Sequence, residues 1–488
     1  YRFRHFLFQR YLYNRLDEGE RSYLHEAVGD ALEDLFGMGA EEVAGQLARH
    51  YQEAGSAEKA VDYRLRAGKR ALRLSAYQEA IDHLTRGLAM VTDLPDAGPD
   101  HPLERAQQEL ALQSSLGMAW HGAKGLAPEA INAYTRAREL ARQTGETSQS
   151  CRILGEMSVL YWLRGEHQKA RELAEETLGL AQQAKDPLLV AMIHVYLGLF
   201  LFSLGEYATA QTHFDQMIAV YRPYEHHSPL VSFRGSDLGL SALAYAACCL
   251  WCLGYPEQAM KRSREALALA RELGHPFSLA DVLCLGGCMF NEMGRDWYAL
   301  EDHAEELTRL ADEKGMQGWL LEGTCFRGEA VAMLGQAQDG MALIREGIAG
   351  LQSTGARFWL PGYYRSLAEA QAQAGQPEEA LTTLDEALTL MEDTNERHWE
   401  VELYRLKGEL LSTKSTQGDE AEAEANLQQA ESCFQHAIDV ARRQQAKSWE
   451  LRATTSLARL WQRQGKTRAV SYTHLTLPTN RVAGCCRG

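Results

Sequence analysis

The stretch Gly205-Glu206-Tyr207-Ala208-Thr209-Ala210 is one copy of a pattern that recurs along this chain of 488 residues. In each copy a glycine is followed a few positions later by a small residue, and apolar residues at helical spacing flank the pair. The small residues at the matching position are Ala80, Ala130, Ala170, Ala210, Ala259, Ala299, Gly340, Ala380 and Ala430. Five of the eight intervals between them are 40 or 41 residues, and three are 49 or 50. Such a period predicts one array of repeats rather than several unrelated domains.

Each repeat is predicted to be a hairpin of two α-helices. One apolar stripe precedes Gly205 and another follows it (Ile193, Leu197, Leu201 and Leu204; then Ala210, Phe214, Met217 and Val220). Glycine favours the left-handed conformation that ends a helix, and alanine lets two helix backbones come close. Because one hairpin cannot bury its apolar face alone, the hairpins must stack. We therefore expect an all-α, right-handed superhelix of about ten hairpins in units of roughly 40 residues, with loop insertions at 94–102, 221–236 and 412–424.

The hairpin motif resembles the tetratricopeptide repeat in a long-helix form, and the residues that carry this resemblance are Leu197, Gly198, Leu201, Gly205, Tyr207, Ala210 and Phe214. Residues 254–278, 402–411, 444–452 and 456–461 also resemble the C-terminal half of bacterial fusion proteins. Those proteins carry an adenylate/guanylate cyclase domain and an AAA-type or STAND-type ATPase ahead of their repeats. The resemblance covers roughly residues 1–468. It implies a cytoplasmic, non-catalytic scaffold that forms the regulatory half of a cyclase or ATPase signalling protein.

The two ends of the chain depart from the repeat. Residues 3–9, together with Leu24-His25, loosely resemble the segment that leaves the ATPase module of bacterial signalling NTPases. This resemblance implies that residues 1–36 are a helical remnant following an absent ATPase or winged-helix module, and a capping helix of the solenoid is the alternative. The solenoid is expected at 37–470. Residues 471–488 show no helical period and resemble a translated adapter read-through, so we expect a non-native tail there.

Composition and motifs narrow the functional classes. The net charge of −16 argues against a nucleic-acid partner, because phosphate backbones are bound by clustered Lys and Arg. The ten cysteines form no evenly spaced disulfide framework, which favours a reducing cytoplasm.

The apolar runs 188–204 and 238–253 are short for a bilayer span and fall on first helices of repeats, so no membrane contact is expected. No phosphate-binding Gly-x-x-x-x-Gly-Lys-Ser/Thr motif or hydrolase motif occurs, and we expect no enzyme and no cofactor in this chain.

The predicted binding surface is the inner face of the first helices. Trp162, Phe202 and Trp251 each lie eight residues before an anchor and so hold one equivalent position. Neighbouring inner positions hold Leu199, Cys248, Cys284, Cys288 and Cys325, and matching positions in later repeats hold Glu329, Arg365 and Glu369. Exposed apolar grooves of this kind bind a helix or an extended peptide. We expect a protein or peptide partner, such as the chain's own upstream domains; burial of these residues by tight superhelical curvature is the alternative.

Two further interpretations stay open. The cysteines at 248, 249, 252, 284 and 288 could converge on zinc, but their place in helix interiors favours packing as small apolar side chains. His226 and His227 fall in a predicted loop. The second functional hypothesis is a ligand-sensing solenoid of a STAND-type transcription activator, whose DNA-binding domain would be a separate C-terminal module.

Overall fold

The computed structural model of the chain describes residues 6–91, 101–125, 128–145, 147–414 and 420–466. Within these ranges every regular element is a helix, and successive helices pack as hairpins, so the prediction of an all-α superhelical repeat fold is confirmed. None of the helices in these ranges combines the length and apolarity needed to cross a membrane. The expected tail at 471–488 and most of the insertion at 94–102 lie outside the described residues.

The first of two compact units comprises residues 1–123 and 127–153. Its helices are α1 (Phe6–Arg15), α2 (Glu18–Phe36), α3 (Ala44–Glu53), α4 (Ala57–Arg73), α5 (Tyr77–Val91), α6 (His101–Lys124) and α7 (Pro128–Thr144), with a 3-10 turn at Gly37–Val43. The core between α2, α3 and α4 is built on Leu47, Tyr51 and Ala60, which are fully buried. Phe36, the last residue of the predicted N-terminal segment, is also the last residue of α2.

The second unit comprises residues 124–126 and 154–488, and the division falls within α8 (Thr147–Leu163). Its further helices are α9 (His167–Ala184), α10 (Pro187–Ser203), α11 (Tyr207–Val220), α12 (Pro223–Arg234), α13 (Leu238–Cys252), α14 (Pro256–Leu273), α15 (Pro276–Val282), α16 (Phe290–Gly294), α17 (Trp297–Lys314), α18 (Gln317–Met333), α19 (Ala337–Ser353), α20 (Leu360–Gln373), α21 (Pro377–Thr394), α22 (Glu400–Lys414), α23 (Glu420–Arg443) and α24 (Lys447–Arg463). A π-helical segment, Leu283–Met289, joins α15 to α16.

The glycine and alanine of the repeat act as the sequence predicts. Gly165, Gly205 and Gly375 end their helices with φ of +75° or +76°. The predicted alanine anchors are fully buried, namely Ala80, Ala130, Ala170, Ala210, Ala259, Ala380 and Ala430, apart from the one at 299. In the hairpin of α10 and α11, a Cβ atom on Gly198 would lie 2.6 Å from the Phe214 ring. The Leu-Gly of the motif is therefore required by close helix packing.

The predicted anchor Ala299 is wrong by one residue, because Leu300 is the fully buried residue and Ala299 is half-buried. The left-handed residues Gly274 and Arg295 lie 21 positions apart, whereas those from 315 to 375 follow every 20. The π-helical segment absorbs the extra residue. Polar side chains satisfy the carbonyls of this segment: Ser263 Oγ donates to Gly286 at 2.6 Å, Asn291 Nδ2 to Gly287 at 2.8 Å and Cys248 Sγ to Leu285 at 3.6 Å.

The loop expected at 221–236 is also wrong, since most of it forms α12. Two side chains tie this helix region to the start of α13. Tyr221 Oη donates to Asp237 Oδ2 at 2.7 Å, and His227 Nδ1 lies 2.7 Å from the same oxygen. Asp237 also caps α13 by accepting from the backbone N–H of Gly239. The insertion is therefore an additional helix fixed by one buried carboxylate.

Candidate functional site: an aromatic seam and a charged ribbon

The residues of the predicted inner stripe are buried, so the open groove expected from the sequence is not observed. Trp162, Leu199, Phe202, Cys248, Trp251, Cys284 and Cys288 are each at most 8% exposed, and Cys325 is 1% exposed. Arg365 and Glu369 are 3% and 9% exposed. The alternative interpretation, burial by superhelical curvature, describes their surroundings. Their role in binding a partner stays a prediction.

Aromatic residues from hairpins five units later in the chain cover this stripe. The ring centroids lie 4.4 Å apart for Trp162 and Phe358, 4.3 Å for Phe202 and His398, and 4.6 Å for Trp251 and Trp449. We call these three pairs, with the backbone contacts beside them, the seam. The covering residues lie just before or in the first turn of α20, α22 and α24, while the covered residues lie in the last turn of α8, α10 and α13. Each step of the seam therefore joins two hairpins that are five units apart in the chain.

At each step of the seam, a carbonyl at the end of the earlier helix accepts a hydrogen bond from the later hairpin. The last carbonyls of a helix have no partner within it, and here groups of the later hairpins donate to them. The acceptors are Leu163 (from Arg357 and Phe358 N–H, 2.8 and 3.2 Å), Ser203 (from Arg397 and His398 N–H, 2.7 and 3.1 Å) and Trp251 (from Ser448 Oγ, 2.5 Å). At three successive units, the end of an earlier helix is therefore bonded to a later hairpin, by backbone N–H groups in two steps and by a serine hydroxyl in the third.

Close approach across the seam also explains a glycine. A Cβ atom on Gly165 would lie 2.6 Å from Thr394 Cγ2 and 3.0 Å from Thr394 Cβ. Gly375, with the same φ of +76°, has nothing within 4 Å of that position. Gly165 is therefore required both by its backbone conformation and by the chain that crosses it.

Beside the seam, arginines and glutamates form a largely buried charged ribbon along the first helices of the last units, with Arg295 and Glu409 partly exposed at its edges. We define the charged ribbon as Glu292, Arg295, Glu329, Arg365, Glu369, Glu402, Arg405, Glu409 and Arg452. These residues come from α16, α18, α20, α22 and α24 or the turns that end them. A buried charge is costly unless it is paired, and each member of the ribbon has at least one partner of opposite sign.

Arg365 is the centre of the ribbon. Its Nη2 lies 2.8 Å from Glu329 Oε1 and its Nη1 lies 2.9 Å from Glu369 Oε2, and the guanidinium also pairs with Glu292. Burial alone would lower the pKa of Arg365, but these three carboxylates outweigh it and raise that pKa. Burial and the nearby Glu329 raise the pKa of Glu292, against the opposing effect of Arg365.

Glu402 is the second centre. Arg405 Nε lies 2.7 Å and Arg452 Nη1 lies 3.2 Å from its carboxylate. Burial would raise the pKa of Glu402, but Arg405, Arg452 and Arg295 together hold it well below the ordinary value. Arg452 also links the ribbon to the seam, because its guanidinium lies over the rings of both Trp251 and Trp449.

The buried thiols are packed rather than reactive. Burial raises the pKa of the Cys284 and Cys288 thiols well above the ordinary value, so they stay protonated. The Cys284 thiol donates to Glu322 Oε2 at 3.2 Å. In the part of the chain that the structure describes, no three His, Cys, Asp or Glu residues come together to hold a metal ion. These positions agree with the packing interpretation of the cysteines.

A polar cleft of about 570 Å³ opens where the middle step of the seam reaches the surface. One wall is the turn before α11, and the opposite wall comes from the start of α22 and the end of α23. Its lining residues are Leu204, Gly205, Glu206, Tyr207, Ala208, Thr209, Arg397, Glu400, Val440, Arg443, Gln444 and Gln445. The cleft thus brings together side chains from two hairpins, α10/α11 and α22/α23, that only the seam makes neighbours.

The tryptophans Trp359, Trp399 and Trp449 are site residues that the sequence reasoning missed. They recur at intervals of 40 and 50 residues, which are the intervals of the anchors, and each is at most 4% exposed. The ring centroids lie 6.1 Å apart for Trp359 and Trp162 and 4.6 Å apart for Trp449 and Trp251, whereas Trp399 packs against His398 and Trp449. The repeat period therefore contained a signal for the covering side of the seam.

No protein-family model matches the chain. An uncharacterized protein of Rhizobium meliloti (strain 1021) is 25% identical over 370 residues, which make up 74% of this chain and 35% of that protein. The chain spans about a third of the length of that curated relative.

Similar solved structures have low sequence identity to this chain. A Rap protein complexed with competence and sporulation factor is 10% identical, with a TM-score of 0.40 over 86% of this chain and 97% of that chain. The Rap conjugation gene regulator of plasmid pLS20, in complex with the Phr* peptide, is 12% identical, with a TM-score of 0.45 over 78% and 96%. A STAND protein with a tetratricopeptide repeat sensor from Pyrococcus horikoshii is 12% identical, with a TM-score of 0.41 over 76% and 55%.

Proposed function

We propose that this chain is a non-catalytic protein-interaction and sensor scaffold, and that it forms the regulatory half of a larger cytoplasmic signalling protein. The proposed parent carries a nucleotide cyclase or an AAA/STAND-type ATPase, as the resemblance of residues 1–468 implies. Residues 1–36 would follow that module, and residues 37–470 would form the sensor. The matched part of the Rhizobium relative is 35% of that protein, which leaves room there for further modules.

The observation that carries the proposal is the position of the cleft across the seam. The turn at Gly205 lies on one side, and Arg397 and Gln444, from a hairpin much later in the chain, lie on the other. A segment held in the cleft contacts both sides only while the seam is closed. Its binding free energy therefore differs between a closed and an open second unit, which is the condition for a ligand to shift a conformational equilibrium.

The lining of the cleft fits a protein segment with charges of both signs. Glu206 and Glu400 supply negative charge, and Arg397 and Arg443 supply positive charge. The first turn of α11 adds backbone N–H groups, because its N-cap residue Glu206 makes no side-chain cap. Main-chain donors with charged side chains around them are the elements by which an extended segment is recognised.

The test uses the complete gene product with its flanking sequence. We expect a nucleotide cyclase or ATPase module upstream, and we expect Arg443→Glu to change nucleotide turnover severalfold at an unchanged melting temperature. Arg459→Glu is the matched control, since Arg459 is an exposed arginine outside the cleft. A gene without an upstream nucleotide module would refute the fusion, a downstream helix-turn-helix would favour the activator, and unchanged turnover in Arg443→Glu would refute coupling through the cleft.

A further inference from the structure

Helix α2 carries an apolar row that no described residue of the first unit covers. Leu24, Val28, Ala31 and Leu35 follow the spacing i, i+4, i+7 and i+11 and so lie on one face of the helix. Leu24, Val28 and Leu35 are 47%, 42% and 77% exposed, and Met38 beyond the helix is fully exposed. We call this row the outer face of α2.

A different face of the same helix already forms part of the core. Leu32 and Phe36 pack against the cluster around Tyr51, and a Cβ atom on Gly29 would lie 2.9 Å from the Tyr51 ring. The outer face is therefore additional to the face that folding requires. A helix with apolar residues on more than one face normally has more than one neighbour.

Acidic side chains flank the outer face. Asp30 and Asp34 continue the row that starts at Tyr23 and Ala27, which is next to the apolar row on the helix surface. The Asp30 side chain is 56% exposed although Lys59 pairs with it, and Asp34 is also exposed. A partner that covers the outer face must therefore present positive charge along one side.

Helix α1 of the same chain has this chemistry. Residues 1–16 contain Arg2, Arg4, Arg10 and Arg15 and no acidic residue, interleaved with phenylalanine, leucine and tyrosine. Tyr11 and Leu12 are 53% and 49% exposed, and every residue from 10 to 15 is exposed. Among the described side chains of α1, the contacts to α2 are at the end of α1, where Tyr13 Oη lies 2.9 Å from His25 Nε2; just beyond α1, Arg21 Nε donates to the Leu16 carbonyl at 3.0 Å.

The lengths of the two surfaces also match. The outer face from Leu24 to Leu35 is about 17 Å long, and the ten residues of α1 make about 15 Å of helix. Only Leu16 and Asp17 separate α1 from α2. If α1 folded back along its own α2, it would reach no further than about Val28 and would leave Leu35 uncovered. An α1 from another molecule has no such limit.

We propose that α1 of one chain docks on the outer face of α2 of a second copy, and that the two copies exchange this contact reciprocally about a two-fold axis. The exchange covers the apolar rows of both chains and brings Arg10 and Arg15 of each α1 near Asp30 and Asp34 of the other chain. Reciprocity doubles the buried area of a contact that is small by itself.

Sedimentation velocity of the complete chain between 1 and 200 µM at ~0.1 M salt is the test. The expected result is a concentration-dependent dimer for the natural sequence. We expect Val28→Asp and Leu35→Asp to be monomeric at every concentration with unchanged circular dichroism and melting, because both side chains are exposed. Leu103→Asp, at a leucine of the same unit that is 48% exposed, close to the 42% of Val28, is expected to dimerise normally. A monomer at 200 µM, or a dimer that survives Val28→Asp, would overturn the proposal.

A charge exchange identifies α1 as the occupant. Arg10→Glu with Arg15→Glu is expected to weaken the dimer at least tenfold, and Asp34→Lys to weaken it severalfold. Combining the three changes is expected to restore most of the affinity, because each altered α1 then meets an altered α2. An apolar-dependent dimer without this recovery would mean that two α2 helices pair directly, and it would overturn the exchange of α1.

Discussion

Trp251 and Trp449 pack edge to face with ring centroids 4.6 Å apart, although their hairpins are five units apart in the chain. The Arg452 guanidinium lies 5.3 Å from the first centroid and 4.9 Å from the second, and it also pairs with Glu402. In an open solenoid each repeat contacts only its neighbours. The second unit departs from that rule, because its seam joins hairpins that are not neighbours in the chain. The seam and the charged ribbon meet at Arg452.

Replacing one tryptophan of the seam by alanine should show whether the seam keeps the second unit compact, beyond the stability that any buried side chain contributes. We expect Trp251→Ala to lower the free energy of unfolding by about 3–5 kcal/mol and to increase the radius of gyration in small-angle X-ray scattering. Leu307→Ala removes a fully buried side chain that packs between neighbouring helices, and it should cost about 2–5 kcal/mol without expansion. Equal radii of gyration for the two variants would contradict a closed seam.

Gly165 and Gly375 have the same backbone φ, so the same substitution at both positions tests whether the close contact across the seam at Gly165 contributes to stability. Gly165→Ala and Gly375→Ala both place an alanine at φ +76°, which costs about 1 kcal/mol. Only the first also forces a methyl group against Thr394. We expect its free energy of unfolding, measured in urea, to fall by a further 1–3 kcal/mol or so. Restoration of part of this loss by Thr394→Gly would identify the contact, and equal losses for both glycines would argue against it.

The sequence was sufficient for the hairpins because their determinants are local. Gly205 and Ala210 fix the turn and the close helix packing within a few residues of each other, so the repeat phase could be read directly. The one error of register, Ala299, arose where a single extra residue became a π-helical segment instead of a loop. The repeat period alone does not distinguish a one-residue loop insertion from a π-helical segment, since either one shifts the following repeat by one residue.

Whether the inner stripe is exposed could not be predicted from such local sequence features. Trp162, Phe202 and Trp251 do hold one equivalent position, as the spacing predicts. Whether that position is open depends on superhelical pitch, which sums a small rotation over every repeat. A small change in rotation per hairpin separates an open groove from a closed seam. The recurring Trp359, Trp399 and Trp449 were the available sign that something covers the stripe.

Loss of the central arginine should leave uncompensated buried carboxylates. We expect Arg365→Met to lower the free energy of unfolding by about 3–5 kcal/mol at pH 8, because Glu292 and Glu329 then lack their cation. Burial then keeps the pKa of Glu292 in the folded variant above that of the unfolded chain, so the cost should shrink as pH falls towards 5. Urea unfolding at both pH values measures this.

Arg309→Met is the control, since Arg309 lies on the surface beside Glu313 and should cost no more than about 0.5 kcal/mol. Glu292→Gln added to Arg365→Met should recover part of the stability at pH 8, because it removes one of the stranded charges. A cost that is the same at pH 5 and pH 8 would show that lost packing, rather than stranded charge, accounts for the destabilisation.

Glu322, a buried glutamate for which no described residue provides a cation, should make stability fall at mildly alkaline pH. Burial raises the pKa of Glu322 to about 8, against a small opposing effect of the Cys284 thiol, whereas an unfolded glutamate titrates near ~4.3. The folded state therefore binds the extra proton, and the associated stability is complete below about pH 4 and is lost as pH rises to about 8. Glu322→Gln should match the natural chain at pH 4 and exceed it by several kcal/mol at pH 8. Glu313→Gln, at an exposed position, should differ at neither pH, and a Glu322→Gln difference that does not grow with pH would contradict burial as the cause.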